Sequence, residues 1–483
     1  MSLQQLQTEL ALVVGPGGFV AHPAQLRTYE CDGLTGHPVI PGLVVLPTTV
    51  DQVAAIVREC ARRGVPFVAR GAGTGLSGGA QPHPEGVLIV LARMRRIVDV
   101  DVVNQRVTVE PGVTNAEISR AVAAHNLYYA PDPSSQIVCS IGGNVAENAG
   151  GVHCLKYGFT TNHVLGLEVV TPDGEVVQLG GGVLDTPGYD LRGVFVGSEG
   201  TLGIATKITV RVCRTPQAVR TLVAYFSTPA AAGDAVAAIT GEGVIPAGVE
   251  MMDNLAIQAS EADAQAGLEL DAGAALIVET DGPAAEVDCE FARVGELCEA
   301  AGATGIRVAQ NAAERALLWK ARKAAFASMG RLSPDYFVQD GVIPRTKLGE
   351  VLARVAELST ETGFRVANVF HAGDGNLHPL VLFDAMKGEA DDAAEVAARI
   401  VDMCVEAGGS ITGEHGVGTD KACSMRKMFS ESDLEVMLRV RTAFDPQGIC
   451  NPGKLFPTPR LCGEKPGPYR PHPLEEAGVV ERM

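Results

Sequence analysis

Positive charge is in short supply in this chain. Its 39 Lys and Arg stand against 57 Asp and Glu, for a formal net charge of -18 over 483 residues, so there is no basic stripe to neutralise phosphates and nucleic acid is excluded as a partner. Long apolar runs are also missing. No uncharged stretch reaches the roughly 18–20 residues of a membrane span, so membrane contact is expected only peripherally or through a partner. The eleven cysteines contain no C-x-x-C pair, which removes the spacing of an iron–sulfur cluster or a zinc ribbon and reads as reduced thiols in a cytosolic compartment. The N-terminus lacks a charged leader, and its short apolar stretch stops at Gly15-Pro16-Gly17-Gly18, so no signal peptide is expected and the location reads as cytoplasmic.

What is present is enough apolar residue, 46%, for a sizeable core divided over two or three domains. After Thr49, Val53, Ile56, Val57 and Cys60 recur on one helical face and Gly64 closes the helix. A strand at 66–69, a glycine-rich loop at 71–79 and a buried strand at 86–91 follow. Thr114 with Glu117 opens another helix, and Pro172-Asp173-Gly174-Glu175 turns a hairpin within 164–177. Beyond Thr215-Pro216 the chain is richer in Ala. Helical patterns near 285–301, 346–361 and 388–407 alternate there with strands at 275–280 and 364–370, as in a second α+β domain. The tail from Thr458 carries five prolines and reads as an irregular strap.

The loop Arg70-GAGTGLSGGA contains G-x-G-x-x-G at Gly73, Gly75 and Gly78, the spacing of a nicotinamide-binding turn. That turn must open a helix, whereas this one runs into Gln81-Pro82-His83-Pro84, which forbids a helix interior. Left-handed glycines can still present backbone N–H groups to a diphosphate. By itself the loop reads first as a structural bend, since glycine-rich bends are common. Three of the ten histidines fall in two polar, small-residue segments, NVFHAGDGNLHP (368–379) and ITGEHGVG (411–418). His371, His378 and Glu414 make a two-histidine, one-carboxylate set for zinc, manganese or iron(II), with positions open to substrate oxygens. The bland alternative is a group of hydrogen-bonded turn histidines.

Four further segments accompany the glycine loop in order: PDPSSQ (131–136), SIGGNVAENAGG (140–151), KYGFT (156–160) and GSEGTLGI (197–204). Together they resemble the FAD-binding domain of the vanillyl-alcohol oxidase and p-cresol methylhydroxylase superfamily over roughly residues 38–214. The resemblance implies pyrophosphate and ribityl contacts from Arg70, Gly71, Ala72, Gly73, Thr74, Gly75 and Ser77. It implies a flavin lining of Asp132, Ser134, Ser135, Gly142, Asn144, Asn148 and Gly151, and places Glu199, Gly203 and Ile204 toward the adenine half. The glycine loop has no histidine for a covalent link, so FAD is expected to be held non-covalently.

The late segments HAGDGNLHP, GEHGVG and CNPGK (450–454) are similar to the C-terminal domain of FAD-linked oxidases, a group that includes flavin subunits of glycolate oxidases, D-lactate dehydrogenases and D-2-hydroxyglutarate dehydrogenases. This likeness implies His371, His378 and Glu414 as metal ligands, His415 as the base and Asn451 as a cofactor contact. It also implies Arg322, in LLWKARK (317–323), as the substrate arginine, with Asn376 in support, although arginines on such helices often form a solvated face. With IPGLVVLPTTVDQV and DYFVQDGVIPR (335–345) added, the likeness covers nearly the whole chain and is strongest to the glycolate-oxidising members.

The expected fold is α+β, with a two-part FAD-binding domain of the p-cresol methylhydroxylase type followed by a cap with an antiparallel sheet. The expected boundaries are an N-terminal helical segment 1–37, the FAD domain 38–214, the cap 215–457 and a tail 458–483. The expected activity is FAD- and metal-dependent oxidation of a small 2-hydroxy acid, glycolate before D-lactate, with hydride passing to the flavin and electrons to an acceptor other than oxygen. Alternatives are a D-lactate or D-2-hydroxyglutarate dehydrogenase, a flavin enzyme of the ether-lipid synthase kind, and a flavin subunit active only with an iron–sulfur partner. A quinone acceptor and a homodimer are compatible with the sequence.

Overall fold

The computed structural model describes residues 3–183 and 187–458, with side chains from residue 5. The expected strap beyond Thr458 lies outside the described residues. In the first half, the Thr49 side chain caps the helix Val50–Arg63 by accepting from the Gln52 amide, and Gly64 ends it in the left-handed conformation. Val53, Ile56, Val57 and Cys60 are thereby turned inward and fully buried; each large aliphatic side chain removed from water in this way contributes about 1.5–3 kcal/mol. Thr114 and Glu117 form a complete capping box at the head of Asn115–Val122.

A first sheet runs Phe19–Val20, Leu43–Val45, Val87–Val90, Phe67–Arg70. Its last three strands are parallel, so the glycine loop leaves the sheet at the end of Phe67–Arg70. Phe19–Val20 pairs antiparallel with Leu43–Val45, and the helix Leu3–Val14 packs on Val50–Arg63. The segment before residue 38 therefore supplies an edge strand as well as the expected helix. A second, antiparallel sheet is ordered Ile97–Asp101, Arg106–Val109, Ile204–Arg211, Val164–Val170, Val176–Gly180. Its Val164–Val170/Val176–Gly180 pair is the expected hairpin.

The second half is built on a nine-stranded sheet in which every pairing is antiparallel. One face is covered by the helices Pro229–Gly241, Ala284–Ala300, Leu348–Thr362 and Ala390–Glu406, the other by Asn254–Ala264 and Ala312–Ser328. Within the sheet, Gly248–Asp253 pairs with Val366–His371, placing Glu250 opposite His371. A tight turn then brings Asn376 opposite His371, and Val342 is paired to both Asn376 and Ser410. One end of this sheet thus gathers 340–342, 371–378 and 410–415.

The chain finally returns to the first domain, where the Phe67 N–H donates to the Ile449 carbonyl and the Asn451 N–H to the Phe67 carbonyl. Among the described residues nine cysteines are free thiols. Among the described residues no helix is long and apolar enough to cross a membrane.

Candidate functional site

Arg70, Gly71, Gly142, Glu199, Gly203 and Ile204, all expected cofactor residues, line one cavity together with Gly143, Ala146, Glu147 and Phe195. Glycine is required at its wall. A Cβ at Gly71 would come within 1.9 Å of Ser140 Oγ, and one at Gly142 within 2.6 Å of the Pro111 ring, so only bare backbone lets these segments close on each other. The Ser77 and Ser198 hydroxyls and Glu147 Oε2 nearby are buried without partners, which fits a polar cofactor that has yet to satisfy them. Burial, reinforced by Glu199, raises the Glu147 carboxyl well above the usual range, so it can present a proton to such a group.

Other expected cofactor residues are already committed within the protein. The Arg70 guanidinium donates to the Ala80 carbonyl at 2.7 Å and the Tyr29 carbonyl at 3.1 Å and so shapes the loop Gly71, Ala72, Gly73, Thr74, Gly75. The Asn144 amide donates to Asn115 at 2.5 Å, and Asn148 accepts from the Thr161 amide at 2.9 Å. Asp132 is ion-paired with His153 at 3.0 Å, and Gly151 lies against the Asp132 carbonyl. Ser134 is exposed and Ser135 half-buried. Asn451 spans the Gly79 and Glu199 carbonyls at 2.8 and 2.6 Å. The Glu199 carboxylate accepts the Val417 and Gly418 amides at 2.6 Å each, fastening the late His415 loop to the first domain.

That loop carries the second half of the site. One ligand atom each from His371, His378 and Glu414 lie within 4.8 Å of one another. His371 Nε2 is 3.2 Å and His378 Nε2 3.5 Å from Glu414 Oε1. The His378 and His415 rings are stacked with centroids 4.9 Å apart, and His415 Nε2 is 3.9 Å from Glu414 Oε1. Glu414 Oε2 and His378 Nδ1 are buried without partners. Burial raises the Glu414 carboxyl, but the neighbouring histidines hold it down at about 2. Burial lowers His371, yet Glu250 and Glu414 lift it well above its usual value, so a positive charge is strongly favoured at this point. Burial pushes His415 down to about 4, with Asp340 opposing and His378 reinforcing; its imidazole is neutral at neutral pH.

Asp340, His378 and His415 form a second possible ligand set. Asp340, however, already accepts from Thr412 Oγ1 at 2.5 Å and from the Gly413 and His415 amides at 2.9 and 3.0 Å. It also accepts the Glu414 amide and stands 3.3 Å from His378 Nε2. A carboxylate with about four acceptor sites is filled by these donors, so Asp340 shapes the 412–415 turn while Glu414 keeps a free oxygen. The chemistry of the donor set and the unpaired atoms fit a divalent cation at His371, His378 and Glu414.

Arg322 is 2% exposed. Its Nη2 is ion-paired with Glu250 Oε2 at 2.6 Å without hydrogen-bond alignment, and its Nε has no partner. It therefore points into the protein and is no solvated helix-face arginine. Asn376 is equally buried, with neither amide atom paired. Sequence reasoning missed Glu250 and Asp340. Asp340 sits inside a quoted segment, DYFVQDGVIPR, but nothing in that string signals a turn organiser; Glu250 reads as one polar residue in a buried strand.

Residues 41–180 match the family described as FAD binding domain, and residues 215–455 match FAD linked oxidases, C-terminal domain. The chain is 52% identical to the glycolate oxidase subunit GlcD of Escherichia coli (strain K12), over 93% of this chain and 90% of that one. It is 33% identical to a D-lactate dehydrogenase of Anaerostipes hadrus, over 86% of this chain and 89% of that one. In fold it superposes on p-cresol methylhydroxylase with a TM-score of 0.78 at 18% identity, covering 94% of this chain and 96% of that one.

Proposed function

The chain belongs to the FAD-linked oxidase family, and from that membership together with the site geometry we propose that it oxidises a small 2-hydroxy acid, glycolate before D-lactate, to the 2-oxo acid. The observation that carries this reading is the adjacency of a buried arginine with an unpaired donor and a buried cation-favouring cluster, joined through Glu250. A 2-hydroxycarboxylate carries the matching groups on adjacent carbons: an anion for Arg322 and a hydroxyl oxygen for the cluster.

When bound, FAD supplies the two-electron acceptor and a divalent cation supplies the Lewis acidity that eases deprotonation of the hydroxyl. In this reading His371, His378 and Glu414 hold the cation, whether zinc, manganese or iron(II). Arg322 fixes the substrate carboxylate, and Asn376 supports it. His415 takes the hydroxyl proton on its ring nitrogen, and the 412–415 turn organised by Asp340 holds that ring in place. The glycine-lined cavity takes FAD non-covalently. Because the Escherichia coli relative is named a subunit, the proposal includes a partner subunit or a quinone that receives the electrons; a homodimer is compatible with it.

The test is anaerobic mixing of the purified flavoprotein with glycolate, D-lactate, L-lactate and D-2-hydroxyglutarate, with and without chelator. Fast bleaching of the flavin by glycolate, lost on chelation and restored by metal, is expected. Faster bleaching by D-lactate would promote the dehydrogenase alternative, and a flavin that no 2-hydroxy acid reduces would refute the reading.

A further inference from the structure

Glu250 touches both halves of the site and holds no part in the chemistry proposed above. It is 1% exposed and faces His371 across the antiparallel strand pair. Its Oε1 lies 2.7 Å from His371 Nδ1, and its Oε2 lies 2.6 Å from Arg322 Nη2. An ionised carboxylate only accepts hydrogen bonds, so the hydrogen at this contact sits on Nδ1. Nε2, turned to Glu414 Oε1 at 3.2 Å, is then the nitrogen on which a cation would take the place of the proton. Cross-strand register sets the separation of the two side chains, and turning the imidazole over would break the 2.7 Å contact. The second oxygen is not idle, since a carboxylate this buried persists only with a counter-charge, and Arg322 provides it.

We infer that Glu250 is a positioning residue that fixes which nitrogen of His371 faces the cation. In doing so it makes the cation-holding ring and the substrate-binding guanidinium share one carboxylate. Outer partners of metal-ligating histidines commonly set ring orientation in this way, and their loss costs about 10–100-fold in metal affinity. The inference rests on the metal-dependent reading and deepens it.

Glutamine is the informative replacement because it has one acceptor and one donor end. If the acceptor faces His371, the amide N–H₂ is set against Arg322; if it is reversed, His371 must present Nδ1 as acceptor and carry its hydrogen on Nε2. The Glu250→Gln holoprotein is compared with the parent for zinc or manganese retained against graded chelator, with FAD content and Tm as controls. Retention at least tenfold weaker with full FAD content is expected; retention within about twofold of the parent overturns the inference.

Should Glu250→Gln not accumulate with FAD, the pair Glu250→Gln/Arg322→Met removes both buried charges together and leaves neither unpaired. The double variant is expected to lose metal at least tenfold more readily than the parent, and parent-like retention again overturns the inference. The unmodified protein tells this failure from failure of the functional reading. A parent that retains no metal refutes the metal-dependent reading and the role of Glu250 with it, whereas a metal-retaining parent with an equally retentive variant refutes only the role of Glu250.

Discussion

His153 and His371 are each held between carboxylates, and they differ in what is left over. His153, from the first domain, lies 3.0 Å from Asp132 and 3.6 Å from Glu279 of the cap. Glu279 also accepts from Arg315 at 2.7 and 2.8 Å, from Trp319 at 2.7 Å and from Thr221 at 2.7 Å. Beside it Asp281 takes Lys156 and the Tyr157 hydroxyl, each at 2.7 Å. No side-chain polar atom of these residues is buried and unpaired. Around His371 the opposite holds: Glu414 Oε2, His378 Nδ1, both Asn376 amide atoms and Arg322 Nε are all buried without partners. A saturated cluster is a fastening between domains, and an unsaturated one is a place built for something else.

The largest effect expected from this contrast is kinetic and falls on the unsaturated side. His415→Ala removes the proposed proton acceptor without opening any interdomain contact, so glycolate-driven flavin bleaching should slow by about 10²–10⁴-fold at unchanged FAD content and Tm. Stopped-flow absorbance checks it. A bleaching rate within a few-fold of the parent would mean that the stacked ring is only packing.

Glu279→Gln acts on the saturated side and should show in stability. It leaves Arg315 without its carboxylate, and because that guanidinium is 39% exposed water recovers part of the loss; we expect about 2–3 kcal/mol rather than the larger cost of a wholly buried pair. Calorimetry should show a Tm several degrees lower, with glycolate bleaching of the folded, FAD-loaded protein within about twofold of the parent. Lost bleaching at unchanged Tm would reverse the roles assigned to the two clusters.

The same contrast explains what could be read from the sequence. The Thr49 and Thr114 caps, the hairpin within 164–177 and the cap helices near 285–301, 346–361 and 388–407 were legible because each depends on neighbours in the chain, and those neighbours are what periodicity and capping report. His371, His378 and Glu414 were legible as candidates because their segments are unusually polar and small. Glu250 and Asp340 were not, since their importance arises from strand register and a turn contributed by distant parts of the chain. His153, in GGVHCLKYGFT, looks as polar and glycine-flanked as His371. Only the partner census, which needs three dimensions, sets them apart. For Arg322, implied as the substrate arginine by the family likeness, it is likewise the burial that removes the solvated-face alternative, and a helix bearing Lys320 and Lys323 does not announce that burial.

The smallest predicted effect sharpens the contrast by titration. Burial lowers His153, but Asp132 and Glu279 outweigh it and raise the ring to about 10 from an ordinary 6.5. A group whose folded value is raised contributes stability that is fully present below its unfolded value and is lost as pH rises through the folded one. The fastening should therefore be at full strength below about pH 6.5 and should fade toward pH 10. His153→Asn removes the titrating ring, so its Tm should lie a few degrees below the parent at pH 6, and the gap should close as both are measured up to pH 10. A gap of constant size would show that His153 acts by shape alone, and that the charge joining the two domains resides in the Glu279–Arg315 and Asp281–Lys156 pairs.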